Sequence, residues 1–265
     1  MGFDSYAKMA EFDKYFGRYE YNNEKDYDGN WGIYDEEFLK YFANKLNTTK
    51  PPFFAEIFTL SSHHPYSIPK KYNNKFREGT LPIHKSIEYA DFALSQFFKT
   101  AQKMSWYNNT LFIITADHTS EASHPFYQNN LGIFSIPILF FKPDSSMKRV
   151  SSMTTQQIDI MPSVLDFLNY DKPYISFGNS VFDSTSEHFA INYINNTYQL
   201  IENGYILQFD GKQVLSLYNI NKDSLLNQNL INSDIVIENY LNKKIKAIIQ
   251  SYNNRLINNK MNINK

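Results

Sequence analysis

Residues 110–119 constrain the fold of this chain more than any other segment. They read Thr-Leu-Phe-Ile-Ile-Thr-Ala-Asp-His-Thr, so five apolar or β-branched residues are followed almost at once by an acid and an imidazole. Such a run predicts a strand covered on both faces, which is typical of parallel sheets flanked by helices. Because ligands of open α/β sheets bind beyond the carboxyl ends of the strands, Asp117 and His118 lie where chemistry is expected. The alternative is that Asp117 caps the next helix and His118 is a solvated loop residue.

Composition sets the class of protein. With 265 residues, of which 42% are apolar, the chain can form one good-sized domain or one domain with a small appendage. Its net charge of −1 gives nucleic-acid binding little electrostatic support. Because the sequence has no cysteine, it excludes disulfides, thiolate nucleophiles and cysteine-type zinc sites. Any metal must then be bound by carboxylates, imidazoles or hydroxyls.

Membrane and export signals are not visible in the sequence. No stretch reaches the roughly 20 apolar residues that a membrane span needs. The first residues, Met1-Gly-Phe-Asp, have neither the basic nor the apolar region of a signal peptide. The sequence as it stands therefore predicts a soluble chain without an export signal.

A second apolar run, residues 53–60, also predicts a buried strand. It ends in the polar stretch Ser-Ser-His-His-Pro-Tyr at residues 61–66. Between the two runs, apolar residues at helical spacing over residues 83–104 predict an amphipathic helix that returns the chain to a parallel strand. Two predicted strand tips therefore carry histidines.

The pattern on either side of these strands completes an α/β sandwich. A helix is predicted from Asp35 to about Leu46, because acids occupy its first turn and apolar residues repeat at helical spacing. A third strand is predicted at residues 136–141 and a further helix at about residues 156–168. The order strand, helix, strand, strand, helix favours a mostly parallel sheet flanked by helices.

The pattern changes in the last third of the chain. Residues 189–218 alternate in short bursts separated by turns, which predicts an antiparallel meander. Apolar residues then repeat on one face of a final helix through residues 237–252. We therefore predict an α/β catalytic domain at residues 1–185 and a small antiparallel sheet with a terminal helix at residues 186–265.

Asp117 and His118 are the first candidates for a metal site. A carboxylate oxygen and a neutral imidazole nitrogen suit Mn, Zn or Fe. A catalytic ion needs at least one more protein ligand and an open position for substrate. Glu121 and His124 lie in the following loop and could reach the pair, although Glu121 is more simply a surface residue.

The other histidines are interpreted from the residues next to them in the sequence. His63 and His64 are adjacent, so in an extended segment their side chains point to opposite sides. A histidine beside a phosphoester can donate a hydrogen bond or protonate a leaving group near neutral pH. The alternative is that both histidines cap the turn before Pro65. His84 and His188 have no such neighbours and are predicted to be structural or exposed.

The ordered set of segments resembles the lipoteichoic acid synthase family, which comprises sulfatase-like phosphoglycerol transferases of the alkaline phosphatase superfamily. The resemblance begins with Phe-Phe-Ala-Glu-Ile-Phe-Thr-Leu-Ser-Ser-His-His-Pro-Tyr at residues 53–66 and Phe-Ile-Ile-Thr-Ala-Asp-His-Thr at residues 112–119. It continues through Phe-Ser-Ile-Pro-Ile-Leu-Phe at residues 134–140, Gln-Ile-Asp-Ile-Met-Pro-Ser-Val-Leu at residues 157–165, and Phe177-Gly178. It covers nearly the whole chain and implies a partial alkaline-phosphatase-like fold.

The resemblance implies roles for particular residues. Asp117 and His118 match the Asp-His pair that ligates one catalytic divalent ion, usually Mn²⁺, with Zn²⁺ or another divalent ion as the alternative. His63 matches the histidine that contacts the phosphate-bearing substrate. His64 stands in the place of an aromatic residue, and His124 is a further candidate for substrate binding. The family's substrate-facing Trp and Arg have no counterpart, because Phe3 and Ser5 stand roughly there.

The activity implied is transfer of phosphoglycerol. A metal-activated threonine would attack a phosphodiester, form a covalent phosphoglycerol-threonine, and pass the group to an acceptor hydroxyl or to water. The substrates would be cell-envelope glycerol phosphate or glycan chains, from a phosphoglycerol lipid or another phosphate or sulfate ester. The alternatives are a sulfatase or phosphonate-type hydrolase of the same superfamily, or an inactive scaffold remnant.

The family's nucleophilic threonine and an acidic metal ligand lie upstream of the matched region, after several membrane helices. No catalytic nucleophile is therefore assigned in this sequence. The expectation is the carboxyl-terminal half of a catalytic domain, inactive alone, from a truncated gene, a mis-called start or an expression fragment. The full-length protein would act at the extracytoplasmic face of the bacterial plasma membrane, and membrane association would come only through the upstream segment.

Overall fold

The computed structural model describes residues 2–263, which form two compact units. The first unit contains residues up to His124 together with Leu139–Lys148. The second contains Pro125–Ile138 and the residues from Arg149 onward. A separate domain that begins at residue 186 stays a prediction.

Two packed helices build the core of the first unit. The α-helices of this unit are α1 (Phe3–Met9), α2 (Arg18–Tyr21), α3 (Asp35–Asn47) and α4 (Ile83–Ala101). Leu39, Ala43 and Leu46 of α3 are buried in one cluster with Ala93 and Phe97 of α4. This packing is what the spacing of apolar residues on both helices predicts. The predicted helices α3 and α4 are therefore confirmed.

Strands β1 (Phe112–Thr115) and β2 (Ile138–Phe141) pair with each other in a two-stranded sheet. The predicted strands at residues 111–115 and 136–141 are thus present. The expectation that the first of them is covered on both faces is wrong, because its side chains are only partly buried and Thr115 is exposed.

The predicted buried strand at residues 53–60 is wrong. This segment has no strand assignment and pairs with no strand of residues 2–263. Phe53 and Ile57 pack against the core of α3 and α4, whereas Phe54 is 74% exposed and Phe58 is also exposed. An apolar run predicts burial, but a strand also needs a neighbouring strand to accept its backbone hydrogen bonds.

The second unit contains the predicted meander and final helix, and both are confirmed. Its elements are α5 (Ile160–Phe167), β3 (Phe189–Ile194), β4 (Thr197–Glu202), β5 (Tyr205–Phe209), β6 (Val214–Asn219) and α6 (Ile235–Ile257). The four strands are antiparallel in sequence order. Leu241 and Ile245 of α6 are buried against Leu200, Leu207 and Leu217 of the sheet. The alternation of the strands and the helical spacing of α6 produce this core.

Short 3₁₀ helices connect these elements. The further predicted helix at about residues 156–168 is present as a 3₁₀ turn followed by α5. The 3₁₀ helices span Glu24–Asp26, Lys70–Tyr72, Tyr107–Asn109, Pro125–Gln128, Gly132–Phe134 and Gln157–Asp159. Within residues 2–263, none of the helices combines the length and the apolar character that crossing a bilayer requires.

Candidate active site

The Asp117-His118 pair lies just beyond the end of β1. Asp117 Oδ1 accepts a hydrogen bond from the His118 backbone N–H at 2.8 Å, and His118 Nδ1 lies 3.0 Å from the Thr119 carbonyl oxygen. Since a carbonyl oxygen can only accept, Nδ1 is the donor in this contact. Nε2 is 3.5 Å from Asp117 Oδ2, so a carboxylate oxygen and an imidazole nitrogen converge. The side chains of Asp117 and His118 are 62% and 50% exposed.

No helix follows Asp117 closely enough for Asp117 to act as its cap. The next helical element of the described chain is the 3₁₀ helix Pro125–Gln128, several residues further on. Asp117 instead accepts from the neighbouring residue's backbone. Its carboxylate therefore lies on a loop at the strand tip.

The donor set of this pair fits a divalent ion in kind but not in number. An acidic oxygen and a neutral imidazole suit Mn²⁺ or Zn²⁺. Residues 2–263 contain no group of three or more His, Cys, Asp or Glu side chains that could hold a metal ion. The structure thus does not assemble Glu121 or His124 with Asp117 and His118 into such a group, and both of these side chains are exposed. The pair supplies two ligands of a set that needs at least one more.

The second histidine-bearing loop is a tight turn. The His63 N–H donates to the Leu60 carbonyl at 3.0 Å, and the Tyr66 N–H donates to the His63 carbonyl at 2.7 Å across a cis His64-Pro65 bond. The His64 ring meets the Tyr66 ring edge to face, with centroids 5.6 Å apart. Both histidine side chains are exposed. The turn therefore presents two imidazoles with different neighbours.

Trp31 packs against this turn and fixes its backbone. Its indole lies 4.0 Å from the His63 ring, centroid to centroid, and its Nε1–H donates to the His64 carbonyl at 2.6 Å. Asp28 Oδ1 in turn accepts from the backbone N–H groups of residues 30, 31 and 32 at 2.8, 2.8 and 3.1 Å. Asp28 thus shapes the loop that carries Trp31, and Trp31 holds the His63 turn.

Asp35 anchors the same turn from the start of α3. It is 1% exposed, and its Oδ1 accepts from the backbone N–H groups of Leu60 and Ser61, each at 3.0 Å. The Ser61 hydroxyl accepts from the Asp35 N–H at 3.1 Å. Burial raises the pKa of the Asp35 carboxyl, although the hydrogen bonds from Ser61 and Leu60 act in the opposite direction.

Sequence reasoning placed Asp35 only in the first turn of a helix and gave Trp31 no role. Their partners lie 25 and 26 residues away for Asp35 and 33 residues away for Trp31. Neither spacing follows a helical or strand period, so no local pattern could have indicated these contacts. The sequence predicts only the place of Asp35 in the first turn of a helix, because a negative charge favours a helix N-terminus.

One hydrogen bond connects the two histidine-bearing loops. The Tyr66 hydroxyl lies 3.2 Å from the Ser120 hydroxyl. Tyr66 is buried and follows His63 by three residues, whereas Ser120 follows His118 by two. The predicted phosphate-contacting turn and the predicted metal-binding tip are therefore neighbours in the first unit, although only the tip follows a strand, because residues 53–60 form none.

Comparison with known proteins identifies relatives of this chain. The family model described as Sulfatase matches residues 2–170. The lipoteichoic acid synthase of Staphylococcus aureus (strain USA300) is 23% identical over 262 residues, covering 88% of this chain and 40% of the relative. The lipoteichoic acid synthase-like YvgJ of Bacillus subtilis is 24% identical over 238 residues, covering 78% of this chain and 39% of the relative. The chain thus spans about two fifths of the length of these curated relatives.

Solved structures agree on the fold. A protein of the alkaline phosphatase superfamily from Vibrio parahaemolyticus superimposes with a TM-score of 0.77 at 23% identity, over 93% of this chain and 60% of that one. The phosphonate monoester hydrolase of Agrobacterium radiobacter superimposes with a TM-score of 0.63 at 13% identity, over 93% of this chain and 68% of that one. The predicted partial α/β sandwich of the alkaline-phosphatase type is confirmed, as is the resemblance noted in the sequence.

Proposed function

This chain belongs to the sulfatase family, in which it is similar to the lipoteichoic acid synthases, and from that premise we propose that it carries the metal-binding and phosphate-binding side of a phosphoglycerol transferase site. The substrates would be cell-envelope glycerol phosphate or glycan chains. One observation carries the proposal. Asp117 Oδ2 and His118 Nε2 converge at 3.5 Å in a loop that is hydrogen bonded, through Tyr66 and Ser120, to the His63 turn.

The roles follow from the chemistry of each side chain. Asp117 and His118 would hold a divalent ion, with Mn²⁺ as the first candidate and Zn²⁺ as the second. Such an ion, when bound, polarises a phosphoryl oxygen and lowers the pKa of an attacking hydroxyl. His63, held by Trp31, would donate a hydrogen bond to a phosphoryl oxygen or a proton to the leaving group. His64 and His124 stay predictions as substrate contacts.

We place the nucleophile, a threonine, and at least one further acidic metal ligand in polypeptide outside these 265 residues. The support is twofold: the site described here offers only two metal ligands, and the curated relatives are more than twice as long as the region matched. The threonine oxygen would bond to phosphorus as the glycerolipid oxygen leaves with a proton. The acceptor hydroxyl would then take the phosphoglycerol group and release the threonine.

Metal binding tests the core of the proposal. Titration of the chain with Mn²⁺, followed by electron paramagnetic resonance of the free ion, should show weak binding. Asp117→Ala and His118→Ala should each weaken that binding by about tenfold or more, because each removes one of two ligands. Asp91→Ala, which removes an exposed acid from the surface of α4, is the matched control and should bind as the parent does. Equal affinity in Asp117→Ala and the parent would overturn the proposed metal site.

Turnover tests where the nucleophile lies. The chain with Mn²⁺ should not hydrolyse a nitrophenyl phosphodiester or a nitrophenyl sulfate. Hydrolysis that disappears in Asp117→Ala would show that a nucleophile is present in this chain and would overturn its external placement. In that event, a preference for the sulfate ester would indicate a sulfatase and a preference for the phosphodiester a phosphoglycerol-type enzyme.

A further inference from the structure

Residues 53–59 form a straight segment whose backbone has no partner. The segment contains no helix, turn or bend. Phe53 and Ile57 pack against the core of α3 and α4, whereas Phe54 and Phe58 are exposed. This alternation of faces is that of a β-strand. Within the described chain, however, residues 53–59 make no hydrogen bond through backbone or side chains.

Strand β1 runs in the same direction as this segment. The Trp106 ring lies 6.4 Å from the Phe53 ring and 6.2 Å from the Phe112 ring, centroid to centroid, so both segments begin beside one indole. The loops that follow them meet at the hydrogen bond between Tyr66 and Ser120. Two segments that begin together and end together are parallel, as two strands of one parallel sheet would be.

A gap separates residues 53–59 from β1. Neighbouring strands of a sheet lie about 4.7–4.9 Å apart and exchange backbone hydrogen bonds. Residues 53–59 exchange none with β1, whose one strand partner within residues 2–263 is β2. The Phe112 ring contacts Phe141 of β2 at 5.7 Å and Trp106 at 6.2 Å. Because Trp106 also contacts Phe53, residues 53–59 lie on the side of β1 away from β2.

The surroundings of this gap match what a β-strand requires. Main-chain N–H and carbonyl groups give affinity for an added strand, and the neighbouring side chains select its polarity. Phe53 and Ile57 lie on one face of the segment, and Phe54 and Phe58 lie on the other. A strand in the gap would therefore have apolar neighbours on both faces and backbone partners on both edges. This is the environment of a central strand in a parallel sheet.

Polypeptide from outside these 265 residues is the occupant that the comparisons favour. This chain covers 60% of the superimposed Vibrio parahaemolyticus chain and about two fifths of the curated relatives, so further polypeptide accompanies the matched region in those proteins. Charge disfavours a second copy of this chain. A symmetric antiparallel pairing centred on the segment would place two Glu56 carboxylates opposite each other.

We propose that this gap binds one β-strand of polypeptide from outside these 265 residues, apolar on both faces and parallel to residues 53–59 and to β1. Its carboxyl end would lie beside the His63 turn and the Asp117-His118 tip, because parallel strands end at one edge of a sheet. The strand would thus bring its last residues to the place where the proposed function needs a threonine and an acid. That last step rests on the proposed function, whereas the strand site itself does not.

Hydrogen exchange followed by mass spectrometry tests the segment in the chain alone. The amides of residues 53–59 should exchange as fast as those of an unfolded peptide, both at a low protein concentration and at one about tenfold higher. Slow exchange at both concentrations would show that the segment is already paired and would overturn the gap. Protection that appears only at the higher concentration would show pairing with a second copy and would overturn the occupant.

A synthetic strand tests the gap. The probe is the peptide Lys-Lys-Val-Ile-Val-Ile-Val-Lys-Lys, whose lysines keep it in solution, with a fluorescent label for anisotropy. It should bind the chain and slow the exchange of amides in residues 53–59 and in β1 by about tenfold or more. Absence of binding, or protection that omits either side of the gap, would overturn the proposal.

Backbone methylation separates strand pairing from apolar adhesion. Successive N–H groups of a strand point to opposite edges, so methylating the valine nitrogens removes the donors of one edge and methylating the isoleucine nitrogens removes those of the other. Both methylated peptides keep the same apolar side chains. Each should bind about tenfold or more weakly than the parent peptide, because a strand in the gap donates on both edges. Unchanged binding of either peptide would overturn insertion between two neighbours.

Two proline variants test the location. Ala55→Pro and Glu56→Pro remove adjacent N–H groups that have no hydrogen-bond partner within residues 2–263, so each variant should keep the urea midpoint of the parent. Because one of the two N–H groups faces the gap, one variant should bind the peptide about tenfold more weakly and the other as the parent does. Equal binding by the two variants would overturn the location. If either variant unfolds, the methylated peptides decide.

These experiments use neither a metal nor a reacting ester, so they are separate from the tests of the proposed function. Peptide binding by a chain that fails to bind Mn²⁺ would refute the proposed metal site and leave the strand site unaffected. Mn²⁺ binding by a chain that fails to bind the peptide would refute the strand site and leave the metal site unaffected.

Discussion

The two histidine-bearing loops of the first unit are held in different ways. The His63 turn is fixed from a distance, because buried Asp35 binds two of its backbone N–H groups and Trp31 binds the His64 carbonyl. The Asp117-His118 tip is exposed, and its hydrogen bonds described above run to adjacent residues. The difference separates two jobs. Contacts that position the His63 turn also stabilise the fold, whereas the side chains of the proposed metal-binding tip are exposed to solvent.

The largest expected effect is on stability and comes from Asp35→Ala. This change removes the acceptor of the buried Ser61 N–H and of the part-buried Leu60 N–H, and we expect it to lower the free energy of unfolding by about 3 kcal/mol. Asp117→Ala removes an exposed carboxylate and should stay within about 0.5 kcal/mol of the parent. Urea denaturation measures both. Equal losses in the two variants would show that the loops are held alike and would remove the contrast.

The pH dependence of Asp35→Asn gives a smaller effect with a definite sign. Burial raises the pKa of Asp35 in the folded state above its value in the unfolded chain, so the folded state binds more protons between those two pKa values. The parent therefore loses stability as pH rises from the unfolded pKa through the raised folded pKa, and the asparagine variant lacks this loss. The free energy of unfolding of Asp35→Asn, relative to the parent, should increase as the pH rises above the unfolded-state pKa of about 4.

Denaturation curves collected across that pH range check the sign. Asp91→Asn makes the same substitution at an exposed acid of α4 and is the control. A relative stability of Asp35→Asn that falls with rising pH would mean that the hydrogen bonds to Asp35, rather than its burial, dominate its titration.

The sequence predicts the parts of this fold that depend on residues close together in the chain. Helices α3 and α6 and the antiparallel meander follow from side-chain periodicity, which is local, and each was predicted. The segment at residues 53–60 has the same apolar character as β1 but no strand partner in the described chain. Periodicity reports which side chains prefer burial and says nothing about which strand lies alongside.

The candidate site shows the same limit. Asp117 and His118 were visible because an acid and an imidazole follow an apolar strand directly. Asp35 and Trp31 were missed because their partners are 25 to 33 residues away, with no repeating pattern between them. Their roles depend on the tertiary packing of α3 against the His63 turn. Positioning residues of this kind are found from structure, whereas candidate ligands at a strand tip can be predicted from sequence.

The smallest expected effect tests whether the two loops communicate. The Tyr66 and Ser120 hydroxyls share one hydrogen bond at 3.2 Å, so Tyr66→Phe, Ser120→Ala and the double variant form a double-mutant cycle. We expect a coupling of about 0.5 to 1 kcal/mol in the free energy of unfolding, the size of one hydrogen bond between neutral groups. If the two single effects simply add, the anchored His63 turn does not steady the exposed tip. A coupling of the expected size would instead mean that the His63 turn, through Tyr66, helps to hold the loop that carries Asp117 and His118.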